Sequence, residues 1–237
     1  MEFLLGIRGR DFVLLASDLL SIRSIMVLSS EKSKFTPLSP TLLLSCVGES
    51  GEADRLKERL VAESNLAALR MGGRHWNPSE AAHISRTMIS KSLRTRSPYG
   101  VNLLIAGINL DANGDKSNCG DLFWLDHLGS LQALPFAVHG YGAYFCLGLL
   151  DAQYSPDLTP SDAIRLVANI VHELQTRFIV QMPKLELRLV NASGTHLVCI
   201  EDWRVAPSSF TWNISGLLPR SDVQLQPPSV PLMEVDE

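Results

Sequence analysis

Short, almost continuously apolar runs separated by polar turns mark the first part of the chain. Phe3–Ile7 and Phe12–Ala16 are two such runs, and the Gly9-Arg10-Asp11 turn between them predicts a β-hairpin. Leu42–Val47 predicts another buried strand after a proline-containing loop. Because these runs are apolar at nearly every position, we expect both faces of the sheets to be covered.

Apolar residues at helical spacing predict two pairs of helices. The first helix begins near Ser50 and ends at Gly72-Gly73, a pair suited to a helix C-terminus. The second begins at Pro78, which suits a first helical turn. Two further helices are predicted at roughly Tyr141–Gln153 and Ser161–Val180.

The remaining strands fall between and after the helix pairs, which fixes the fold class. They are predicted at Val101–Ile108, Asp121–Leu125, Ser130–Ala133, Leu185–Val190 and Leu197–Ile200. Strands in hairpin-joined blocks and helices in pairs are not the alternation of a parallel doubly wound sheet. The order predicts an α+β fold, a four-layer α-β-β-α sandwich of two antiparallel sheets flanked by helix pairs. We assign residues 1–205 to this domain and residues 206–237, with five prolines, to an extended tail.

Composition narrows the classes of function. Of 237 residues, 46% are hydrophobic and 19% are charged, and the formal net charge is −4. A mildly acidic chain without basic blocks argues against nucleic acid or an anionic membrane as a partner. No apolar stretch approaches the ~20 residues of a spanning helix, and we expect no signal peptide in the initial MEFLLGIRGR. The apolar excess therefore predicts a large core or a buried subunit interface.

Cysteines and histidines give no sign of a metal or disulfide site. Cys46, Cys146 and Cys199 lie in apolar runs and Cys119 lies in a polar turn, so we expect reduced thiols in a reducing compartment. No two histidines have metal-ligand spacing, and we expect neither metal nor cofactor. We interpret His139 as a structural residue rather than an acid–base group.

Several motifs, taken together and in order, resemble those of a proteasome β subunit over about residues 2–203. They are Gly6–Gly9, Val13–Asp18, Leu43–Gly48, Pro98–Gly107, Leu122–Asp126, Pro135–Gly142 and Leu150-Asp151. Each is weak alone, but their joint order is specific. Pro98–Gly107 and His139–Ala143 look most like the non-catalytic subunit at position four of the eukaryotic seven-member β ring, called β type-2 in another nomenclature. The resemblance implies the N-terminal-nucleophile hydrolase fold.

The same resemblance implies that the chain is not itself an enzyme. In active members, the first residue of the mature chain is a threonine whose hydroxyl attacks the peptide bond and whose α-amino group accepts the proton. The matching position here is Glu2. Only Met1 precedes it, and we expect no propeptide.

The supporting residues of the active family are only partly present. Asp18 and Lys34 match its aspartate and lysine, and we interpret them as an inherited structural ion pair. A second aspartate and two serines are lost, since their positions match Arg177, Tyr141 and Val180. These residues are therefore vestigial positions.

The resemblance implies a structural role in the 20S proteasome core particle, in the cytoplasm and nucleus. The subunit would help to enclose the chamber for ubiquitin-dependent protein degradation, beside other β subunits of its own and the opposite ring and beside α-ring subunits. The loop with Asp126, His127 and Leu128 would either wall the substrate pocket of an adjacent, chymotrypsin-like subunit or form a simple ring contact. The alternatives are a catalytically active N-terminal-nucleophile hydrolase subunit and a binding module that acts outside the particle.

Overall fold

The computed structural model describes residues 2–23, 26–109, 120–177 and 184–200, and the backbone of 212–215. The strands are β1 (Leu4–Arg8), β2 (Phe12–Asp18), β3 (Ser21–Arg23), β4 (Met26–Ser29), β5 (Phe35–Ser39), β6 (Leu42–Gly48), β7 (Val101–Ile108), β8 (Gly120–Leu125), β9 (Leu131–Ala133), β10 (Phe136–His139), β11 (Leu185–Asn191), β12 (Gly194–Ile200) and β13 (Trp212–Ser215). The helices are α1 (Ser50–Arg70), α2 (Pro78–Ser92), α3 (Ala143–Gln153) and α4 (Pro160–Arg177).

Two antiparallel sheets form the centre of the fold. One has six strands in the order β10-β1-β2-β11-β12-β13, and the other has five in the order β5-β6-β7-β8-β9. Leu4 of β1 lies opposite His139 on one side and opposite Ser17 on the other, so β1 is an interior strand. A separate two-stranded ribbon joins β3 and β4.

Three apolar layers show how the sheets and helices stack. One layer packs the six-stranded sheet against α3 and α4, a second packs the five-stranded sheet against α1 and α2, and a third lies between the sheets. In β2, Leu14 belongs to the helix-facing layer while Val13 and Leu15 belong to the layer between the sheets. Every residue of β2 is buried. The four-layer sandwich and its doubly covered sheets are thus confirmed.

Local signals fix the start of α2. The side chain of Asn77 accepts a hydrogen bond from the backbone N–H of Glu80, and the Glu80 side chain accepts one from the N–H of Asn77. This capping box satisfies two N–H groups that the helix itself cannot pair. Pro78 occupies the first helical turn, as the sequence predicts.

Some elements differ from the prediction. The sequence does not predict strands β3, β4, β5 or β10. In β4 the side chains of Met26, Val27 and Leu28 are exposed although the run is apolar. The backbone of Trp212–Ser215 pairs with β12, so the six-stranded sheet takes its edge strand from the segment assigned to the tail. The division at residue 205 stays a prediction, and the rest of that segment, like Cys119, lies outside the described residues.

The described helices include none that is long and apolar enough to cross a membrane.

Candidate functional site

The predicted vestigial position Glu2 lies just before β1, and its carboxylate contacts groups from two other segments. Its Oε2 accepts a hydrogen bond from the backbone N–H of Gly48 at 2.7 Å. Its Oε1 lies 3.9 Å from the ammonium of Lys34. The carboxylate therefore occupies a place where a backbone donor and a cation converge.

Glycine is required at position 48 by its surroundings. The backbone φ of Gly48 is +139°, and a Cβ there would lie 2.2 Å from the carbonyl oxygen of Gly100. Such a distance is far inside van der Waals contact, so any side chain would push the ends of β6 and β7 apart. The N–H that Glu2 accepts from is thus part of a tightly packed strand end.

A buried ion pair lies beneath Glu2. The Nζ of Lys34 is 2.5 Å from Oδ1 of Asp18, and both side chains are nearly inaccessible to solvent. The same carboxylate oxygen accepts a hydrogen bond from the N–H of Phe3 at 2.7 Å. Burying two charges is costly, and the backbone donor offsets part of that cost by satisfying Asp18. The pair anchors the start of β1 to β2 and to the residue before β5.

A second set of charges surrounds the N-terminus of α1. Lys32 donates to Asp54 at 2.9 Å and to Ser50 at 2.7 Å, and Lys57 contacts Asp54 at 2.7 Å. Burial opposes ionisation of Asp54, but the hydrogen bonds from Lys57 and Lys32 outweigh it and lower the pKa of this carboxyl. Burial raises the pKa of the nearby Cys46 thiol to about 12, so this thiol is not a nucleophile at neutral pH.

The other positions predicted to be vestigial are arranged differently. The turn that contains Tyr141 abuts the start of the chain, because a Cβ on Gly140 would lie 1.8 Å from the carbonyl oxygen of Glu2. The side chain of Tyr141 is exposed. Arg177 pairs with Glu173 of its own helix at 2.6 Å. Val180 lies outside the described residues.

The structure therefore brings Glu2, Asp18 and Lys34 together. The turn that contains Tyr141 approaches Glu2 through its backbone, while the Tyr141 side chain is exposed. Sequence reasoning did not single out Gly48 as a partner of Glu2, although the residue stands at the end of one of the motifs that carry the resemblance. Within the part of the chain that the structure describes, no group of three or more His, Cys, Asp or Glu side chains is placed to hold a metal ion.

His139 lies buried between the two sheets. Its Nε2 lies 3.1 Å from the carbonyl oxygen of Leu103, and its ring stacks on Trp124 with centroids 5.0 Å apart. Burial lowers the pKa of His139 to about 4, against smaller opposing effects of the Leu103 carbonyl and the Asp126 carboxylate. A neutral, hydrogen-bonded imidazole that joins the sheets agrees with a structural role.

The loop between β8 and β9 is organised by Asp126. Its Oδ1 accepts hydrogen bonds from the N–H groups of Leu128 at 3.0 Å and Ser130 at 2.6 Å. The N–H of His127 donates to the Asn102 side chain at 3.0 Å, while the side chains of His127 and Leu128 are exposed. The Asp126 carboxylate thus stabilises the turn in which it lies, and the side chains of the next two residues form the exposed surface of the loop.

Comparisons with known proteins agree with this architecture. The family model described as "Proteasome subunit" matches residues 3–190. The chain is 34% identical over 205 residues to "Probable proteasome subunit beta type-4" of Neurospora crassa, covering 86% of this chain and 98% of that protein. It is 33% identical over 198 residues to "Proteasome subunit beta type-4" of Saccharomyces cerevisiae, covering 84% and 97%. It is 34% identical over 194 residues to "Proteasome subunit beta type-2" of Dictyostelium discoideum, covering 82% and 95%.

Proposed function

The chain belongs to the proteasome subunit family, and from that membership we propose that it is a non-catalytic β subunit of the 20S core particle. In this role it builds the β ring that encloses the proteolytic chamber for ubiquitin-dependent protein degradation, while neighbouring subunits that carry the threonine perform the chemistry. Relatives named β type-4 and β type-2 support the assignment to position four of the seven-member β ring.

One observation carries the non-catalytic assignment. The position of the family's nucleophile is Glu2, whose carboxylate is already bonded to the N–H of Gly48. A carboxylate has no hydroxyl proton to transfer and cannot act through the threonine mechanism. Lys34 pairs with Asp18 in the buried interior and lies 3.9 Å from the Glu2 carboxylate, so it faces an acid where an active member has a threonine hydroxyl. The active alternative is therefore disfavoured.

Exposed apolar side chains support assembly with other subunits. On α3, Tyr144 is 85% exposed and Leu147 is 44% exposed, so this helix is apolar on its outer side as well as on its buried side. Large apolar side chains on a surface are typical of permanent subunit interfaces. We assign their partners as β subunits of the same and the opposite ring and α-ring subunits, in the cytoplasm and nucleus.

The Asp126 loop is proposed as a contact with the substrate pocket of an adjacent, chymotrypsin-like subunit. Because Asp126 is bonded within its own turn, His127 and Leu128 are the residues available to touch a neighbour. Replacing Leu128 with Ala should change which peptides the assembled particle cleaves fastest. Equal relative rates across acidic, basic and apolar substrates would leave the loop as a ring contact only.

An electrophilic peptide that acylates or alkylates N-terminal threonine tests the central proposal in the assembled particle. This chain should stay unlabelled while catalytic subunits of the same particle are labelled, which provides an internal positive control. Sequencing the N-terminus of the chain from that particle is the second measurement. Labelling of this chain, or a mature N-terminus at Thr, Ser or Cys, would establish the active alternative.

A further inference from the structure

The strand at the end of the six-stranded sheet comes from a segment outside the matched family region. The family model matches residues 3–190, whereas β13 lies well beyond it and pairs with β12. The pairing is antiparallel and continuous, from Leu197 opposite Ser215 to Ile200 opposite Trp212. On its other side β12 pairs with β11. β13 therefore covers the edge of β12 that β11 does not use.

The sequence of β12 makes this edge prone to pairing with other chains when it is uncovered. Leu197–Ile200 is an apolar run with two β-branched residues, no charge and no proline. Natural sheets protect their open edges with charges, prolines, bulges or a covering element. From Gly194 to Val198, β12 pairs with β11 without a shift in register. A covering element is therefore the protection that this edge has.

Contacts that do not involve β13 hold β12 in place. Val198 is buried in the apolar layer that packs against α3 and α4. Thr195 is buried on β12, and its hydroxyl donates to the carbonyl of Pro40 at 3.2 Å. Together with the pairing to β11, these contacts fix the position of the strand. The edge of β12 therefore persists when β13 leaves it.

The covering strand is itself a poor template for a further strand. β13 has four residues, whereas β12 has seven. Gly216 follows β13 directly, and Pro207 and Pro219 bound the segment in the sequence. Short edge strands and nearby prolines limit pairing with another chain, since proline has no N–H to donate. Adding β13 therefore replaces a longer apolar edge with a short one.

We propose that β12 is a strand-docking edge and that β13 is its built-in occupant, which keeps a second copy of the chain from pairing there. Two copies with open edges join β12 to β12 in antiparallel orientation about a two-fold axis, so that two sheets become one. Main-chain hydrogen bonds supply the affinity for β13 and for a second copy alike. The inference concerns the sheet edge and does not depend on whether the chain is catalytic.

An engineered disulfide tests where β13 lies in the full-length chain. Asn213 lies directly opposite Cys199, and opposed Cα atoms of antiparallel strands are about 4.5–5.5 Å apart, a distance that a disulfide can bridge. In Asn213→Cys, oxidation by air with copper–phenanthroline should therefore join the two thiols within one chain. Ser215→Cys is the matched control, because position 215 lies opposite Leu197 and thus diagonal to Cys199, at about 7–8 Å. Mass spectrometry of the digested chain measures both yields.

Two prolines in β13 test what the uncovered edge does. Successive N–H groups of a strand point to opposite sides, so Asn213→Pro combined with Ile214→Pro removes a donor that faces β12. This variant should self-associate at a concentration at least about tenfold below that of the wild-type chain, because an edge covered for 90% of the time loses about tenfold in apparent affinity. Val223→Pro combined with Gln224→Pro places two prolines after β13 and should leave association unchanged. Light scattering after gel filtration measures the association.

A peptide probe tests whether the edge is the binding site. A fluorescein-labelled peptide of residues 209–218 should bind the variant with prolines at 213 and 214, and bind the wild-type chain about tenfold or more weakly. It should not bind the oxidised Asn213→Cys chain, in which the disulfide holds the cover in place. The same peptide with prolines at both positions is the negative control. Excess unlabelled peptide should return the associated proline variant to the size of the wild-type chain.

Several results would overturn the proposal. One is an Asn213→Cys chain that forms no intrachain disulfide or forms it no faster than Ser215→Cys. Another is a folded proline variant, verified by circular dichroism, that binds no peptide and associates like the wild-type chain. If that variant does not fold, the Asn213→Cys chain decides, and equal peptide binding in its oxidised and reduced forms would contradict the proposal. In the assembled particle, a disulfide from the introduced thiol to another subunit would show that β13 does not cover its own sheet.

Discussion

The buried imidazole of His139 makes a specific prediction about stability and pH. The pKa of this side chain is lowered to about 4 in the folded chain because burial disfavours the charged form, against 6.5 for an unperturbed histidine. As the pH falls through 6.5, His139 therefore becomes protonated in the unfolded state but stays neutral in the folded state. Stability contributed by neutral His139 is complete above pH ~6.5 and is lost progressively toward pH ~4.

The size of this loss follows from the two pKa values. A difference of about 2.5 pH units corresponds to about 3 kcal/mol over the whole range. At pH 5, where the folded-state histidine is still mostly neutral, the loss relative to pH 7.5 is about 2 kcal/mol. That is a large fraction of the ~5–15 kcal/mol by which a typical domain is stable.

Urea denaturation of the full-length chain and of His139→Gln, at several pH values between 7.5 and 5, measures this contribution. The glutamine keeps an amide donor for the Leu103 carbonyl but cannot titrate, so carboxylates that change protonation affect both proteins alike. The free energies of unfolding should differ most at pH 7.5 and converge by about 2 kcal/mol at pH 5. Parallel curves would refute the inference that His139 is held neutral.

Three further perturbations test other contacts. Lys34→Met should cost about 3–5 kcal/mol, because it leaves the Asp18 carboxylate buried without its cation, and adding Asp18→Leu should recover much of the loss; a double variant no more stable than Lys34→Met in urea denaturation would contradict this. Asn77→Ala should lower the free energy of unfolding by about 1 kcal/mol through loss of the helix cap, and no change beside wild type would argue against the capping box. Asp126→Ala should increase the rate of amide hydrogen exchange at Leu128 and Ser130, while exchange in β7 stays unchanged. Exchange rates at Leu128 and Ser130 equal to those of the wild-type chain would show that the carboxylate does not organise the turn.

The sandwich was predictable because its sheets are covered on both faces. Phe12–Ala16 is apolar at consecutive positions, and the structure uses those positions alternately for two different layers. The start of α2 was also local in origin, since Pro78 and its neighbours carry the signal. In both cases the residues that determine the element lie within one short stretch of sequence, and the prediction agreed with the structure.

Other features depend on residues far apart in sequence. The hydrogen bond between Glu2 and Gly48 joins the residue before β1 to the last residue of β6, and β6 is itself positioned by pairing with β7. No local sequence pattern predicts such a contact. The pairing of β13 with β12 adds a four-residue segment, which lies between Pro207 and Pro219 in the sequence, to a sheet edge. The apolar side chains of β4 are exposed, so an apolar run does not indicate burial there.

The interior place of β1 in its sheet sets an order of events during synthesis. Its partner β2 follows within a few residues, but its other partner, β10, ends at His139. At about 5–20 residues per second, a ribosome needs on the order of ten seconds to make the intervening chain. During that time the β1–β2 hairpin has unpaired edges made of nearly continuous apolar sequence, the kind of edge that invites pairing with other chains. The order of the strands in the chain therefore leaves both edges of this hairpin without their partner strands, β10 and β11, until most of the subunit has been made.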